Sequence, residues 1–321
     1  MSSLTARSRS TRQAGTPQAT RRRHPRVRSA PYLFLAPALV LFVVFMLIPI
    51  VYAIWLSFQA YHLEGGGILG HRVQVFSGFE NYVSVFSNPE LAAGFGRLGI
   101  YGLIAVPLTL GLALLFALLL DVPAVRAARF SRIAIFIPYA VPGVVAALLW
   151  GFMYLPGTSP FSYITEALGF GTIGFLDNPG LFGSLANIAI WGGVGFNMII
   201  IYTSLRGIPS EIYEAARLDG ANEVQIALRI KVPLAVPALV LTAIFSLIGT
   251  LQLYGEPTTL KPMTNAISQS WVPLMMIYRD AFLTDNLPTA AALSVVLALG
   301  TVIVSAIVLR IANRRNSGGM S

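Results

Sequence analysis

The sequence predicts an all-α, polytopic membrane protein with six transmembrane helices and both termini cytoplasmic. Three observations predict it. Of 321 residues, 55% are hydrophobic and only 11% charged, against about 25% charged in ordinary soluble domains. Six apolar runs come near the roughly 20 residues needed to cross a hydrocarbon core of about 30 Å. With the N-terminus inside, only Arg72, Arg97, Lys261 and Arg279 of the 22 Lys and Arg fall outside, leaving 18 inside, as the positive-inside rule requires. Open sheets are excluded within lipid, which leaves their edges unpaired.

The net charge of +9 comes largely from residues 1–29, which hold eight Arg and no acid. This stretch reads as a disordered cytoplasmic tail touching anionic lipid headgroups. A nucleic-acid arm and a targeting signal are the other readings; the following apolar run has span length and no small-residue cleavage site, which argues against a cleaved signal. No cysteine is present, so disulfides and thiol chemistry are absent and the redox compartment is left open.

The first span covers about Tyr32 to Phe58, with Pro37 and Pro49 inside it and Tyr52 and Trp55 near its far end, where amphipathic rings favour the interface. It forms, with the loop behind it, a segment of residues 30–92; that loop contains Gly65, Gly66 and Gly67, then Phe79, Glu80, Asn81 and Tyr82. The remaining spans make a core over residues 93–313. The second runs from about Leu98 to Leu120, and a short loop follows in which Arg126, Arg129 and Arg132 stand against Asp121. The third, about Ile133 to Met153, carries Pro138, Pro142 and Gly143 near its start. Such breakers need neighbouring helices to satisfy the freed backbone, so this span should face protein. The fourth runs from about Phe182 to Leu205 and the fifth from about Leu234 to Tyr254. A loop of about 32 residues with Trp271 and Tyr278 precedes the sixth, about Leu287 to Leu309, and residues 314–321 are a cytoplasmic tail.

So bounded, the spans contain no Asp, Glu, Lys, Arg or His. That argues against a proton-coupled carrier, a voltage sensor or an intramembrane protease, which need ionisable groups in the membrane. His24, His62 and His71 lie outside the spans and read as solvated residues; no metal site is expected. Neither Lys231 nor Lys261 follows the spacing of a phosphate-binding loop, so ATP hydrolysis by that route falls to another chain.

The most polar long insertion is the loop 206–233, with Glu211, Glu214, Asp219 and Glu223 beside Arg206, Arg217, Arg229 and Lys231. It reads as two short helices. Ser210 is a candidate N-cap, with Glu211 and Glu214 in the first turn, although Tyr213 leaves that capping box incomplete. Gly220 ends the helix, because glycine reaches the left-handed C′ conformation without steric cost. Asn222 and Gln225 form a capping box for a second helix, which Pro233 interrupts. Ala215, Ala216 and Gly220 leave one flank nearly flat, suited to close docking on another protein; an amphipathic pair packed on its own membrane domain is the alternative.

This loop resembles the cytoplasmic signature of binding-protein-dependent ABC import permeases: Glu-Ala-Ala, three residues, Gly, nine residues, then Ile-x-Leu-Pro. Here it is Glu214, Ala215, Ala216, Gly220, Ile230, Val232 and Pro233, with Val in place of Leu. Pro49 followed by Tyr52 to Phe58, the stretch Phe79 to Tyr82, the pattern Ile137-Pro138, Pro142, Trp150, and Ala290 to Val296 are similar to the carbohydrate-uptake branch. One departure is that Glu256-Pro257 and Lys261-Pro262 replace a Gly-rich segment common after the fifth span.

The resemblance implies the type I importer permease fold and a non-catalytic permease subunit in a prokaryotic cytoplasmic membrane. The implied partners are two ABC ATPase subunits that bind ATP and Mg²⁺, a second permease in a heterodimer, and an extracytoplasmic solute-binding protein; this chain has no cofactor of its own. The implied mechanism is alternating access for a sugar or related polyol derivative. Contact with the ATPase would fall to Glu214, Ala215, Ala216, Arg217, Asp219, Gly220, Ile230 and Pro233. Candidates for a solute pathway are Asn187, Trp191, Asn197, Gln252, Tyr254 and Glu256, since aromatic faces with amides suit sugars; interhelical hydrogen bonding and interface belts are the competing reading. An ATP-independent channel or secondary carrier, and a non-transporting scaffold, are the alternatives from other classes.

Overall fold

The structure, a computed structural model, describes residues 30–64, 71–122, 127–169 and 171–317. The basic tail 1–29, Gly65 to Gly67, Arg126 and the last four residues lie outside them. Five helices are long and apolar enough to cross a membrane, or six if one bent pair counts as a single span. Residues up to Ile50 and from Val51 onward form two units. The first apolar helix runs as α1 (Ala30–Phe42), a wide turn at Val43–Leu47, and α2 (Ile48–Leu56).

The all-helical expectation gains one addition. After Phe58 the chain forms an antiparallel hairpin, β1 (Gln59–Glu64) with β2 (His71–Phe76), paired Gln59 to Phe76 and Glu64 to His71. Two strands outside the apolar helices do not violate the lipid argument, because water can satisfy their edges. The helix α3 (Glu80–Ser87) follows, and its Asn81 fastens the hairpin: the buried amide donates to the carbonyls of Ser57 at 2.9 Å and Gln59 at 2.5 Å. Phe58, Phe79 and Tyr82 pack at ring separations of 5.5–5.8 Å around it.

The second long helix, α4, covers Pro89–Leu120 and starts nine residues before the expected Leu98. Asn88 caps it by accepting from the Glu90 amide at 2.9 Å, and Pro89 stands at its first position, where a missing N–H costs nothing. Its buried residues Leu98, Tyr101, Ala105, Thr109, Ala113 and Ala117 recur at three- to four-residue spacing, one face of a helix. That face packs along α8 (Gly180–Arg206), and the small residues let the two backbones approach.

The third span is broken, not continuous. α5 (Ala128–Phe136) and the turn Ile137–Ala140 meet α6 (Gly143–Tyr154) at 94°. The cause is local: Val141 precedes a proline and is driven to extended φ −78°, ψ 126°, and Pro142 has no amide to continue the ladder. The end of α5 lies against Gly195 of α8, where a Cβ would stand 2.3 Å from the Ile135 carbonyl oxygen. A short helix, α7 (Pro160–Ala167), leads on to α8.

The polar loop holds α9 (Ser210–Leu218) and α10 (Glu223–Ile226). Two corrections apply. Pro209 occupies the N-cap, and Ser210 is the first helical residue with no capping bond. Pro233 does not stop the second helix: a wide turn at Ala227–Lys231 carries it into α11 (Val232–Leu251), because the Val232 amide bonds five residues back to Ala227 and makes room for the proline ring. The fifth span also ends three residues early, at Leu251, so Gln252 and Tyr254 lie at a break before α12 (Gly255–Leu260).

The expected 32-residue loop before the sixth span is packed core. Leu260, Ile267, Trp271, Val272, Met275 and Met276 are all buried, and α13 (Pro273–Tyr278) rests on α14 (Leu287–Ser317). Arg97 of α4 holds this segment by donating to the Trp271 carbonyl at 3.0 Å, and Arg279 pairs with Glu90 at 3.1 Å and Asp280 at 2.9 Å. Gly195→Ala is expected to lower stability by about 1–3 kcal/mol through overpacking, read as an earlier thermal midpoint in detergent. Gly111→Ala, where a Cβ meets nothing within 4 Å, should leave it unchanged.

Candidate coupling surface and transport cavity

Two places on the molecule collect chemistry that packing alone does not need. The first is α9. It ends at Gly220, whose φ of +85° only glycine adopts without strain, and the turn is fully bonded: Gly220 N–H reaches the Arg217 carbonyl at 3.0 Å and Ala221 N–H the Ala216 carbonyl at 2.9 Å. The box at α10 is reciprocal, with Gln225 N–H to Asn222 Oδ1 at 2.9 Å and Asn222 N–H to Gln225 Oε1 at 2.8 Å. Arg217 ties the two helices through Glu223 at 2.8 Å, and that contact holds the guanidinium pKa above its ordinary value.

Glu214, Ala215, Arg217, Asp219 and Gly220 are exposed, Ala216 half-buried, and Ile230 and Pro233 belong to the start of the fifth span. The sequence reading overlooked the apolar residues among them. Leu218 is 89% exposed, and Ile212, Val224 and Leu228 are exposed as well. A bare leucine beside a Glu-Ala-Ala flank has the composition of a docking surface.

Beneath α9 lies a recess of about 370 Å³ bounded by Asp121, Arg206, Tyr213, Glu214, Arg217 and Lys231. Lys231 Nζ contacts Asp121 Oδ2 at 2.6 Å, with both side chains about 95% buried, and Arg206 approaches the other oxygen at 3.9 Å. The Lys231 ammonium also sits 4.9 Å from the centre of the Tyr213 ring. Burial first, and the Asp121 carboxylate second, raise the Tyr213 hydroxyl above its usual range. These contacts join the ends of α4, α8 and α11 to the floor of α9. Sequence reading placed Asp121 with Arg126, Arg129 and Arg132; a partner 110 residues away carries no local signal. Arg132 lies over the Tyr202 ring at 4.7 Å.

The second place is a cavity of about 530 Å³ midway along α4 and α8. Broken helices build it: Pro138, Tyr139, Val141 and Gly143 come from the 94° bend, and Gln252, Leu253 and Glu256 from the break after α11. Discontinuous helices expose polar backbone where a solute can use it. Tyr139 stacks on Phe196 at 4.8 Å to make an aromatic wall. Asn197 donates to the Gly193 carbonyl at 2.8 Å, while its Oδ1 is buried without a partner.

Of the six expected pathway residues, Asn197, Gln252 and Glu256 line this cavity. Tyr254 opens on a separate hollow with Gln252 and packs against Tyr278. Asn187 and Trp191 are placed structurally: Asn187 donates to the Tyr154 hydroxyl at 2.8 Å, and Trp191 meets Trp150 edge to face at 6.0 Å. For these two the interhelical reading fits. Tyr101, Thr109, Tyr139, Ser246 and Thr250 join the lining unforeseen.

Removing either partner of the buried Asp121–Lys231 pair should cost about 3–5 kcal/mol, since the remaining charge is stranded. Asp121→Asn and Lys231→Met are expected each to lower the thermal midpoint sharply and the double variant to recover most of it, as a double-mutant cycle on the detergent-purified protein would read.

Comparison with known proteins fits this geometry. The model of a family described as binding-protein-dependent transport system inner membrane component matches residues 110–317. A probable ABC transporter permease protein, YurN of Bacillus subtilis (strain 168), is 30% identical over 282 residues, 86% of this chain and 93% of that protein. The sn-glycerol-3-phosphate transport system permease protein UgpA of Salmonella choleraesuis (strain SC-B67) is 29% identical over 290 residues, 89% and 94% of the two chains. Among solved structures, a chain of a bacterial ABC transporter involved in import of the acidic polysaccharide alginate superposes with a TM-score of 0.76 at 19% identity, covering 89% of this chain and 95% of that one. The chain therefore belongs to the family of binding-protein-dependent transport system inner membrane components, which are transport subunits and not enzymes.

Proposed function

We propose that this chain is one permease subunit of an ATP-driven importer for a sugar or related polyol derivative, in the multi-pass cytoplasmic membrane of a prokaryote. The observation that carries it is the full signature loop, folded as a rigid bonded helix with an exposed Leu218 and held to three span ends through Asp121 and Lys231. Both termini are cytoplasmic in this reading, because 18 of the 22 Lys and Arg then lie inside. A solute-binding protein delivers the solute outside, two ABC ATPases bind ATP and Mg²⁺ inside, and a second permease completes the pathway.

Closure of the ATPases pushes α9, through Glu214, Ala215, Ala216, Arg217, Asp219 and Gly220. The bonded Gly220 turn and the Arg217–Glu223 tie keep the helix from absorbing the motion internally. The Asp121–Lys231 pair passes it to α4 and α11, whose middles wall the cavity, so alternating access follows from rocking those helices. Aromatic Tyr139 and Phe196 with Asn197 and Gln252 suit a ring that offers C–H faces and hydroxyls.

In vesicles holding the complete importer, uptake should require ATP and the binding protein. Glu214→Lys is expected to lower it at least tenfold with the chain still inserted and assembled. Uptake that survives removal of ATP would instead favour a channel or secondary carrier.

A further inference from the structure

The stretch between the first apolar helix and α4 carries an apolar face that the described residues leave open. Phe79, at the N-cap of α3, and Val83 and Phe86 within it fall at i, i+4 and i+7, one side of a helix. They are 69%, 64% and 70% exposed. Glu80, Asn81 and Ser84 lie on another side, lining a polar recess of about 450 Å³ with Tyr61, Arg72 and Asp285. Val85 packs inward, into a buried cluster with Leu91 of α4 and Leu293 of α14. The helix is amphipathic, and it is held with its phenylalanines outward. Its level is set by the end of the first apolar helix: Tyr82 Oη and Ser57 Oγ share a hydrogen bond at 2.7 Å, Asn81 holds the Ser57 and Gln59 carbonyls, and Phe79 meets Phe58 at 5.5 Å. Just before Ser57, Tyr52 and Trp55 stack at 5.7 Å with both rings about half exposed, the kind of aromatic pair that marks a membrane–water boundary.

Resting on the topology of the import reading above, we infer that α3 lies in the extracytoplasmic surface of the membrane, with Phe79, Val83 and Phe86 seated among the lipids of the outer leaflet. An amphipathic helix of this kind sinks its apolar face roughly 5–10 Å into the boundary between headgroups and acyl chains. Lipid fits the face because it continues the apolar surface of the helix to which α3 is fastened. It also fits because Phe79, Val83 and Phe86 carry no charge, so burial of hydrocarbon alone has to hold them. A solute-binding protein that docks and departs would leave the phenylalanines bare to water between visits, whereas lipid covers them throughout. Seated this way, α3 sets the hairpin β1–β2 at the membrane surface and turns the polar recess toward water.

The sequence has no cysteine, so one nitroxide at a time can be placed in the complete importer, reconstituted in vesicles of zwitterionic phospholipid. Val83→Cys reports on the apolar side and Ser84→Cys on the recess. Each label is read for collisions with oxygen, which concentrates among acyl chains, and with a nickel chelate, which stays in water. The expected result is an oxygen-to-nickel ratio at Val83→Cys at least about threefold that at Ser84→Cys, as burial of one face in the acyl boundary requires. Equal ratios overturn the inference. So does a label at Val83→Cys that meets neither reagent, which would assign the face to a protein partner such as the second permease. Sidedness is read separately with a membrane-impermeant maleimide on Ser84→Cys. Reaction from the extracytoplasmic side supports the topology, so that equal ratios then overturn the lipid contact alone. Reaction from the cytoplasmic side alone overturns the topology, and the leaflet with it, whatever the ratio.

Discussion

The contact between Lys231 and Asp121 has to survive any motion this protein makes. Two opposite charges, each about 95% buried and 2.6 Å apart, leave the ends of α4 and α11 little freedom to separate. Pulling them apart would strand a charge in a medium that solvates it poorly, and the cost of that exceeds what an ordinary apolar contact can offer. Because Tyr213 of α9 caps the same ammonium, the surface helix and the two spans share one anchor. A push on α9 is then a push on the walls of the cavity, with no separate linkage needed.

The cavity, in turn, depends on helices that stop in the middle of the molecule. A continuous helix keeps every backbone group for itself and shows a solute only side chains. Val141-Pro142-Gly143 and the break at Gln252 interrupt that economy of bonds on the wall of one cavity, which α4 and α8 also line. The segment after α11 belongs to the same design: α12 packs on α6 so closely that a Cβ on Gly151 would stand 2.8 Å from Leu260 Cδ2. What looks like an extracytoplasmic loop is a wall.

Features fixed by local sterics were legible in the sequence. Gly220 at φ +85° and the Asn222–Gln225 box follow from what glycine and amide side chains can do at helix ends, and both formed as read. Long apolar stretches were legible because lipid allows them one conformation. The misses share a different cause. Ser210 lost the cap because Pro209 already supplies extended backbone, and Pro233 failed to break its helix because a wide turn absorbed the ring. Asp121 with Lys231, Arg97 with Trp271, and the burial of residues such as Leu260 and Val272 are long-range facts that no window of sequence contains. Among pathway candidates, polarity alone could not separate Asn197, which lines the cavity with its Oδ1 buried and unpartnered, from Asn187, already satisfied by Tyr154.

The central claim is that α9 is the surface on which the ATPase acts. Because the chain has no cysteine of its own, a single Leu218→Cys gives one thiol on the exposed face of that helix. Cross-linking it in native membranes with a short thiol-to-amine reagent, followed by mass spectrometry of the adduct, measures the contact directly. The account predicts an adduct with an ABC ATPase subunit whose yield changes when ATP is added. Recovery of the intact importer with Leu218→Cys fully reactive to solvent and joined to no ATPase would contradict it.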